Sequence, residues 1–371
     1  MRFECKIDGM TNAVNSALRA VSAKSNVQLL EGVDIKAGDG AVVIFGTDNE
    51  IGIECTFSAD VDEPGEAVVN AKLLSDIIRN LPGETVAVET IDDAKIRITS
   101  GGSVYVIYVV QTDVFPTFPD VERTEAYNVD QLTLKKMFAQ TSFAIGTDES
   151  RRVLTGLLLE SEGSELRAVA VDGYRIALRK QPVLPVTSGL KDLKMIIPSR
   201  TVNDLLRIIP SVIGDLRLYG GANQAVVEFG ACRVYTRLIE GEFFNYRYIL
   251  PSEYMTQITV GRRELLEAFE GASVIISSDL VRQYPVMLKV SDDNIQVHAL
   301  SDVGVADRDI DIEMEGEPID VAFNPRYFIE TLRAIEDEKL VIRFTTRVGQ
   351  CIIRPVNNDS YTYLILPVKV G

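Results

Sequence analysis

Two side chains that carry much enzyme chemistry are nearly missing from this 371-residue chain: it has one histidine, His298, and no tryptophan. A His-rich metal site is therefore excluded, and a Ser-His-Asp triad would have to use His298. That residue sits in the alternating segment IQVHALS (295–301), where a strand histidine is more often structural than catalytic. There is no GxxxxGK[ST] phosphate loop and no GxGxxG after a strand. Nothing calls for a metal or cofactor. The four cysteines, Cys5, Cys55, Cys232 and Cys351, are too dispersed for a CxxC pair or a disulfide framework and read as buried, reduced thiols. No apolar run reaches membrane-spanning length. The start, MRFECKIDGM, has no apolar signal core, so a cytoplasmic location is expected.

Positive charge is also in deficit. Lys plus Arg number 38 against 54 Asp plus Glu, a formal net charge of −16. As an average, this lacks the basic footprint of a nucleic-acid-binding protein. An average does not say where the charges sit.

What is present is one unit three times over. Lys72-Leu-Leu-Ser-Asp76-Ile-Ile-Arg79 matches Arg200-Thr-Val-Asn-Asp204-Leu-Leu-Arg207 and Arg326-Tyr-Phe-Ile-Glu330-Thr-Leu-Arg333. Each copy has a cation, an acid four residues on and an arginine seven residues on. Apolar residues fill the gaps at helical spacing, so each is an amphipathic helix with a charged stripe. Asn70, Ser199 and Asn324-Pro325 are suitable helix entries. An earlier helix is expected at 11–21, 134–143 and 263–274, each after a short strand at 3–7, 126–129 and 257–260. Alternating strands follow each second helix. The fold class is therefore α+β, three tandem domains of two helices packed on antiparallel sheet, at 1–121, 122–252 and 253–371. Each is long enough to bury its own core, and closed symmetry would make a dimer of six such domains. One charged stripe is ordinarily a solvated face held by an i, i+4 pair. Three aligned copies specify the same face three times, while many acids lie in strand and loop segments. A basic helix face suits phosphate contacts that do not read sequence, and the 7% aromatic content disfavours single-strand stacking.

Several segments, in order and spacing, carry a family resemblance: Gly46-Thr47-Asp48-Asn49-Glu50, Arg151-Arg152-Val153-Leu154-Thr155-Gly156, Val171-Asp172-Gly173-Tyr174-Arg175-Ile176, Gly241-Glu242-Phe243-Phe244-Asn245-Tyr246-Arg247 and Leu364-Ile365-Leu366-Pro367-Val368. Over its whole length the chain resembles the bacterial DNA polymerase III beta subunit, the DNA sliding clamp. The resemblance implies a homodimeric ring with helices lining the hole, encircling double-stranded DNA without sequence preference. Such a ring tethers the DNA polymerase III alpha subunit, is opened by a clamp loader, and raises processivity through effective concentration rather than tight binding. It is non-catalytic and makes no membrane contact. On that basis the DNA-facing candidates are Lys24, Lys72, Arg79, Lys135, Lys136, Arg151, Arg200, Arg207, Arg262, Arg326 and Arg333, with Arg151 alternatively serving the groove or a domain junction.

The resemblance also implies a groove between the second and third domains for short peptides with apolar and aromatic anchors. Its candidates are Leu154, Val171, Gly173, Tyr174, Arg175, Ile176, Phe244, Tyr248 and Ile249. The third domain adds Asn324, Tyr327, Leu364, Leu366, Pro367, Val368 and Lys369. Arg175 and Asn324 are expected to bond peptide polar groups. Phe244 replaces a proline of many relatives, and Tyr174 and Tyr248 stand near a His or Arg of others. The dimer seam is expected along 103–108, with Tyr105 and Ile107, against Ile275 and Ile276. Ser103 and Val104 replace arginines of some relatives, which shifts that seam toward apolar packing. Two other readings compete: a carboxylate hydrolase using Asp48 and Asp172, and an adaptor that binds proteins without encircling DNA.

Overall fold

Each repeat opens with a strand that runs straight into a helix. The computed structural model describes all residues except 23–26, 111–113, 120–125, 183–192, 222, 252, 277–283, 347–348 and 370–371. Helices α1 (Ile7–Ala17), α3 (Gln131–Ala139) and α5 (Arg262–Ile276) follow strands Arg2–Lys6, Ala126–Asp130 and Thr256–Gly261. Helices α2 (Ala71–Arg79), α4 (Ser199–Ile208) and α6 (Pro325–Ala334) carry the repeated stripes. Asn70 caps α2, its side chain accepting from the Leu73 N–H at 2.9 Å. Asn324 caps α6 by accepting from the Arg326 N–H at 3.0 Å, with Pro325 opening the helix.

The first helices start earlier than local signals suggest, most clearly α1, at Ile7 rather than 11. Their caps are not local. The first helical N–H of α1, α3 and α5 donates to the carbonyl of Glu84 (2.9 Å), Gly214 (2.8 Å) and Glu338 (2.8 Å) respectively. Each acceptor immediately precedes the strand that follows the second helix of its repeat. An otherwise unsatisfied helix-end donor is thus met by backbone rather than by a capping side chain.

The chain packs as two compact units. The first comprises Met1–Leu132 with Arg207–Leu238, and the second Thr133–Val183, Lys191–Leu206 and Ile239–Gly371. In the first unit an eight-stranded antiparallel sheet runs Ala126–Asp130, Asp215–Gly220, Gln224–Phe229, Cys232–Arg237, Ile51–Ser58, Ala41–Thr47, Gly32–Gly38, Gly65–Asn70. Four strands come from the first repeat and four from the second, joined where Cys232–Arg237 pairs with Ile51–Ser58. A second, five-stranded sheet of this unit ends on Ser103–Tyr108. In the other unit a nine-stranded sheet joins the second repeat to the third where Arg175–Pro182 pairs with Tyr361–Ile365. A four-stranded sheet of that unit ends on Gly304–Asp311. Both joins use the same recipe: the last strand of one repeat pairs with the fourth strand of the repeat before it.

The cysteine expectation is overturned for one pair. Cys55 and Cys232 are directly opposite across the first join and form a disulfide, with Cα atoms 4.1 Å apart and a sequence separation of 177. Spacing along the chain gave no sign of this, because the two residues meet only through strand register. Cys5 and Cys351 are free and buried, as expected, and burial pushes the Cys5 thiol up to about 12. His298 sits opposite Asp307 in a strand pair, its Nδ1 2.7 Å from the carboxylate, a structural position. No helix among the described residues is long and apolar enough to cross a membrane.

Candidate functional site

An apolar cavity of about 310 Å³ opens in the second unit along the join between the second and third repeats. It is at the small end of ligand-sized pockets. Its floor is mostly sheet: Val171, Ile176 and Leu364 are buried strand residues, Ile176 opposite Leu364 in the ladder, and buried Leu154 adds from the 3-10 helix Glu149–Thr155. Gly173, Tyr174, Arg175, Phe244, Ile249 and Leu366 complete the expected lining, and Arg151 joins them. Ten of the sixteen expected groove residues thus come together.

Local chemistry explains the wall. Asp172 accepts from the backbone N–H groups of Tyr174 (2.9 Å) and Arg175 (3.0 Å), a turn built by its own side chain. Gly173 takes φ +96°, and a Cβ there would lie 2.8 Å from Arg151 Nη1. The positive φ is the demand that favours glycine, since the half-exposed Arg151 side chain can shift. On the other side, Tyr246 Oη and Arg247 Nη2 both donate to Glu160 Oε1, at 2.7 and 2.8 Å. Burial acts to raise the Glu160 carboxyl, yet these bonds hold it below its usual range. They anchor the turn Tyr246–Tyr248 between Phe244 and Ile249.

Six expected groove residues stand outside the lining. Tyr248 is 88% exposed. Tyr327 stacks behind Tyr174, with ring centroids 6.0 Å apart. Asn324 uses its side-chain oxygen to cap α6. Val368 donates its N–H to Ala322 at 2.8 Å, fixing the segment that includes Pro367 and the exposed Lys369. Arg175 departs most from expectation: it is only 4% exposed. Its Nε donates to Asp172 Oδ2 at 2.8 Å and its Nη2 to the Phe143 carbonyl at 2.6 Å, and Nη1 pairs with Glu330 Oε2 at 2.6 Å. Buried and tied to Asp172, Phe143 and Glu330, it braces the groove from within the protein. Phe143 and Glu330 are the residues that local reading missed here, although Glu330 was visible as the acid of the third stripe.

The cations divide into exposed and tethered sets. Lys72, Arg79, Arg200, Arg207, Arg326 and Arg333 are all exposed on their helices. Arg200 approaches Asp204 at 3.9 Å, Arg326 pairs with Glu330 at 2.8 Å and Arg333 with Glu270 at 2.8 Å. Lys136 pairs with Glu336 at 3.0 Å, and Lys135 is half-buried. Arg262 instead donates to the carbonyls of Asp337 (3.1 Å) and Leu332 (3.2 Å), which fixes it to the end of α6. Arg151 pairs with Asp148 at 3.0 Å beside the groove. Lys24 lies outside the described residues. Neither Asp48 nor Asp172 is a spare acid: each carboxylate accepts two backbone N–H groups of its own turn.

Three family profiles match in tandem: the N-terminal, central and C-terminal domains of the DNA polymerase III beta subunit, over residues 1–119, 128–245 and 247–369. The chain belongs to the DNA polymerase III beta subunit family. Its three clamp domains are α+β, and its function is that of a DNA sliding clamp, a processivity factor of DNA polymerase. The beta sliding clamp of Staphylococcus aureus is 29% identical over 379 residues, covering 100% of this chain and 99% of the relative. The solved DNA polymerase sliding clamp of Bacillus subtilis superposes with TM-score 0.94 at 27% identity, covering both chains fully. The beta subunit from Streptococcus pyogenes DNA polymerase gives 0.93 at 26%, again with full coverage of both.

Alternate residues of the expected seam strand of this beta-subunit chain lie on opposite faces of its sheet. Ile107 is buried and Tyr105 half-buried, whereas Val104, Val106 and Tyr108 project from the edge strand, because side chains alternate along it. Ile276 is buried and Ile275 half-buried, so neither forms an exposed patch. Exposed apolar residues of the third repeat include Val274, beside Ile275, and Leu300, Val303 and Val305, at the hairpin leading into its open sheet edge.

Proposed function

We propose that two copies of this chain close head to tail into a ring that encircles duplex DNA and slides, without catalytic activity of its own. One observation carries the reading. Each internal join pairs the last strand of one repeat with the fourth strand of the repeat before it, and among the described residues one of each is left as an open sheet edge. Ser103–Tyr108 is the last strand of the first repeat, and Gly304–Asp311 is the fourth strand of the third. Pairing them between chains would repeat the internal joins twice and leave no open edge there. Val104, Val106 and Tyr108 on one edge and Val305 on the other are exposed apolar residues that suit that contact.

Exposed arginines and lysines on α2, α4 and α6 would face the duplex through phosphate contacts, weak enough to permit sliding. The groove would receive short apolar and aromatic segments of the polymerase alpha subunit, the clamp loader and other replication proteins in the cytoplasm. Domain limits near 121 and 252 accord with this reading. Loaded protein should remain on closed circular DNA and leave once the circle is cut. Equal retention on both forms would defeat the encirclement mechanism.

A further inference from the structure

One carboxylate serves both the groove and the cationic stripe. Glu330, on α6, receives Arg326 Nε on Oε1 at 2.8 Å and faces Arg175 Nη1 with Oε2 at 2.6 Å. The two arginines differ in kind. Arg326 has a side chain 74% exposed on the stripe, and Arg175 is buried at 4%. Arg175 in turn is clamped by Asp172 and the Phe143 carbonyl, and its guanidinium lies 4.7 Å from the Tyr327 ring centroid. Tyr327 stacks on Tyr174, the groove wall. The polar and aromatic chain from exposed cation to groove wall is therefore continuous within one unit.

We propose that Glu330 is a positioning residue that links polyanion contact at α6 to peptide capture in the groove. When a phosphate draws Arg326 away, Glu330 is left with Arg175 as its sole cationic partner among those two. The buried pair tightens, Arg175 and Tyr327 lose freedom, and the Tyr174 wall is held in its binding position before the peptide arrives. Linkage of this kind is reciprocal: bound peptide favours phosphate at Arg326 by the same factor. A clamp with an occupied groove would grip its duplex slightly more than an empty one.

The inference rests on the groove and stripe reading above, and one titration separates the two. A fluorescein-labelled peptide with one aliphatic and one aromatic anchor is bound to the intact protein with and without a short blunt DNA duplex. The expected result is about five-fold tighter peptide binding with duplex, at the low end of typical couplings. Arg326→Gln, which leaves Glu330 with Arg175 alone, should bind peptide without duplex about as tightly as the parent protein does with it, and should lose the duplex effect. Glu330→Gln should weaken the peptide in both conditions and also lose the effect. Peptide binding that ignores duplex in the wild type, or a duplex effect that persists in Arg326→Gln, overturns the linkage and leaves the groove intact. No peptide binding at all overturns the groove reading, and the linkage with it.

Discussion

Tyr174 and Tyr327 stack with their ring planes 21° apart, a side chain of the second repeat resting on α6 of the third. Such pairs contribute about 0.5–1.5 kcal/mol beyond the area they bury. Tyr327→Ala should therefore weaken peptide binding by roughly three- to ten-fold with little change in assembly, as fluorescence anisotropy and solution mass would register. Unchanged affinity would mean that Tyr174 holds its place alone.

Gly173→Ala should lower the melting temperature. The positive φ costs an alanine about 1–3 kcal/mol, and its Cβ would meet Arg151 Nη1 at 2.8 Å. A scanning calorimetry trace that matches the parent protein would contradict this.

Asp34 should make stability depend on pH. Burial, then the neighbouring Glu66, raises its carboxyl in the folded protein from 3.8 to about 7. Between those values the folded state holds a proton that the unfolded state releases, so this residue's contribution falls as pH rises from about 4 to 7 and is lowest above 7. Asp34→Asn should stabilise the protein at pH 8 and hardly change it near pH 4, judged by denaturant midpoints. A uniform shift across pH would exclude this cause.

The Cys55–Cys232 bond closes a loop well over a hundred residues long. In the chain-entropy account, bridges of that span are worth up to about 4–5 kcal/mol. Reductant should lower the urea midpoint of the parent protein and leave a Cys55→Ser/Cys232→Ser double variant unaffected. A parent protein indifferent to reductant would show that the bond adds nothing.

Paired substitutions Val104→Glu and Val106→Glu should yield monomers in sedimentation experiments without loss of helix content. Both side chains are more than half exposed on the open edge strand, where burying a charge is costly. Dimers that survive both changes would move the seam elsewhere.

What the sequence disclosed follows the reach of each interaction. The stripe helices were readable because cation, acid and arginine recur at helical spacing and Asn70 and Asn324 cap within the same turn. The start of α1 was not, since its first N–H is satisfied by Glu84, far along the chain. Register decided two further outcomes. It set Cys55 against Cys232, and it turned Ile107 inward and Val106 outward. The groove lining was recoverable only through resemblance, because buried Leu364 reads equally as strand core. Arg175 and Arg262 looked like free cations. Their partners, Glu330, Phe143, Leu332 and Asp337, lie on other elements.

The cross-strand disulfide also changes what kind of object the chain is under load. With residue 55 joined to residue 232, the polypeptide is a lariat rather than a thread. Pulled from its ends, it would lengthen only outside the loop until the bond is reduced. A single protease cut between the two cysteines would leave one covalent molecule, separable only after thiol treatment.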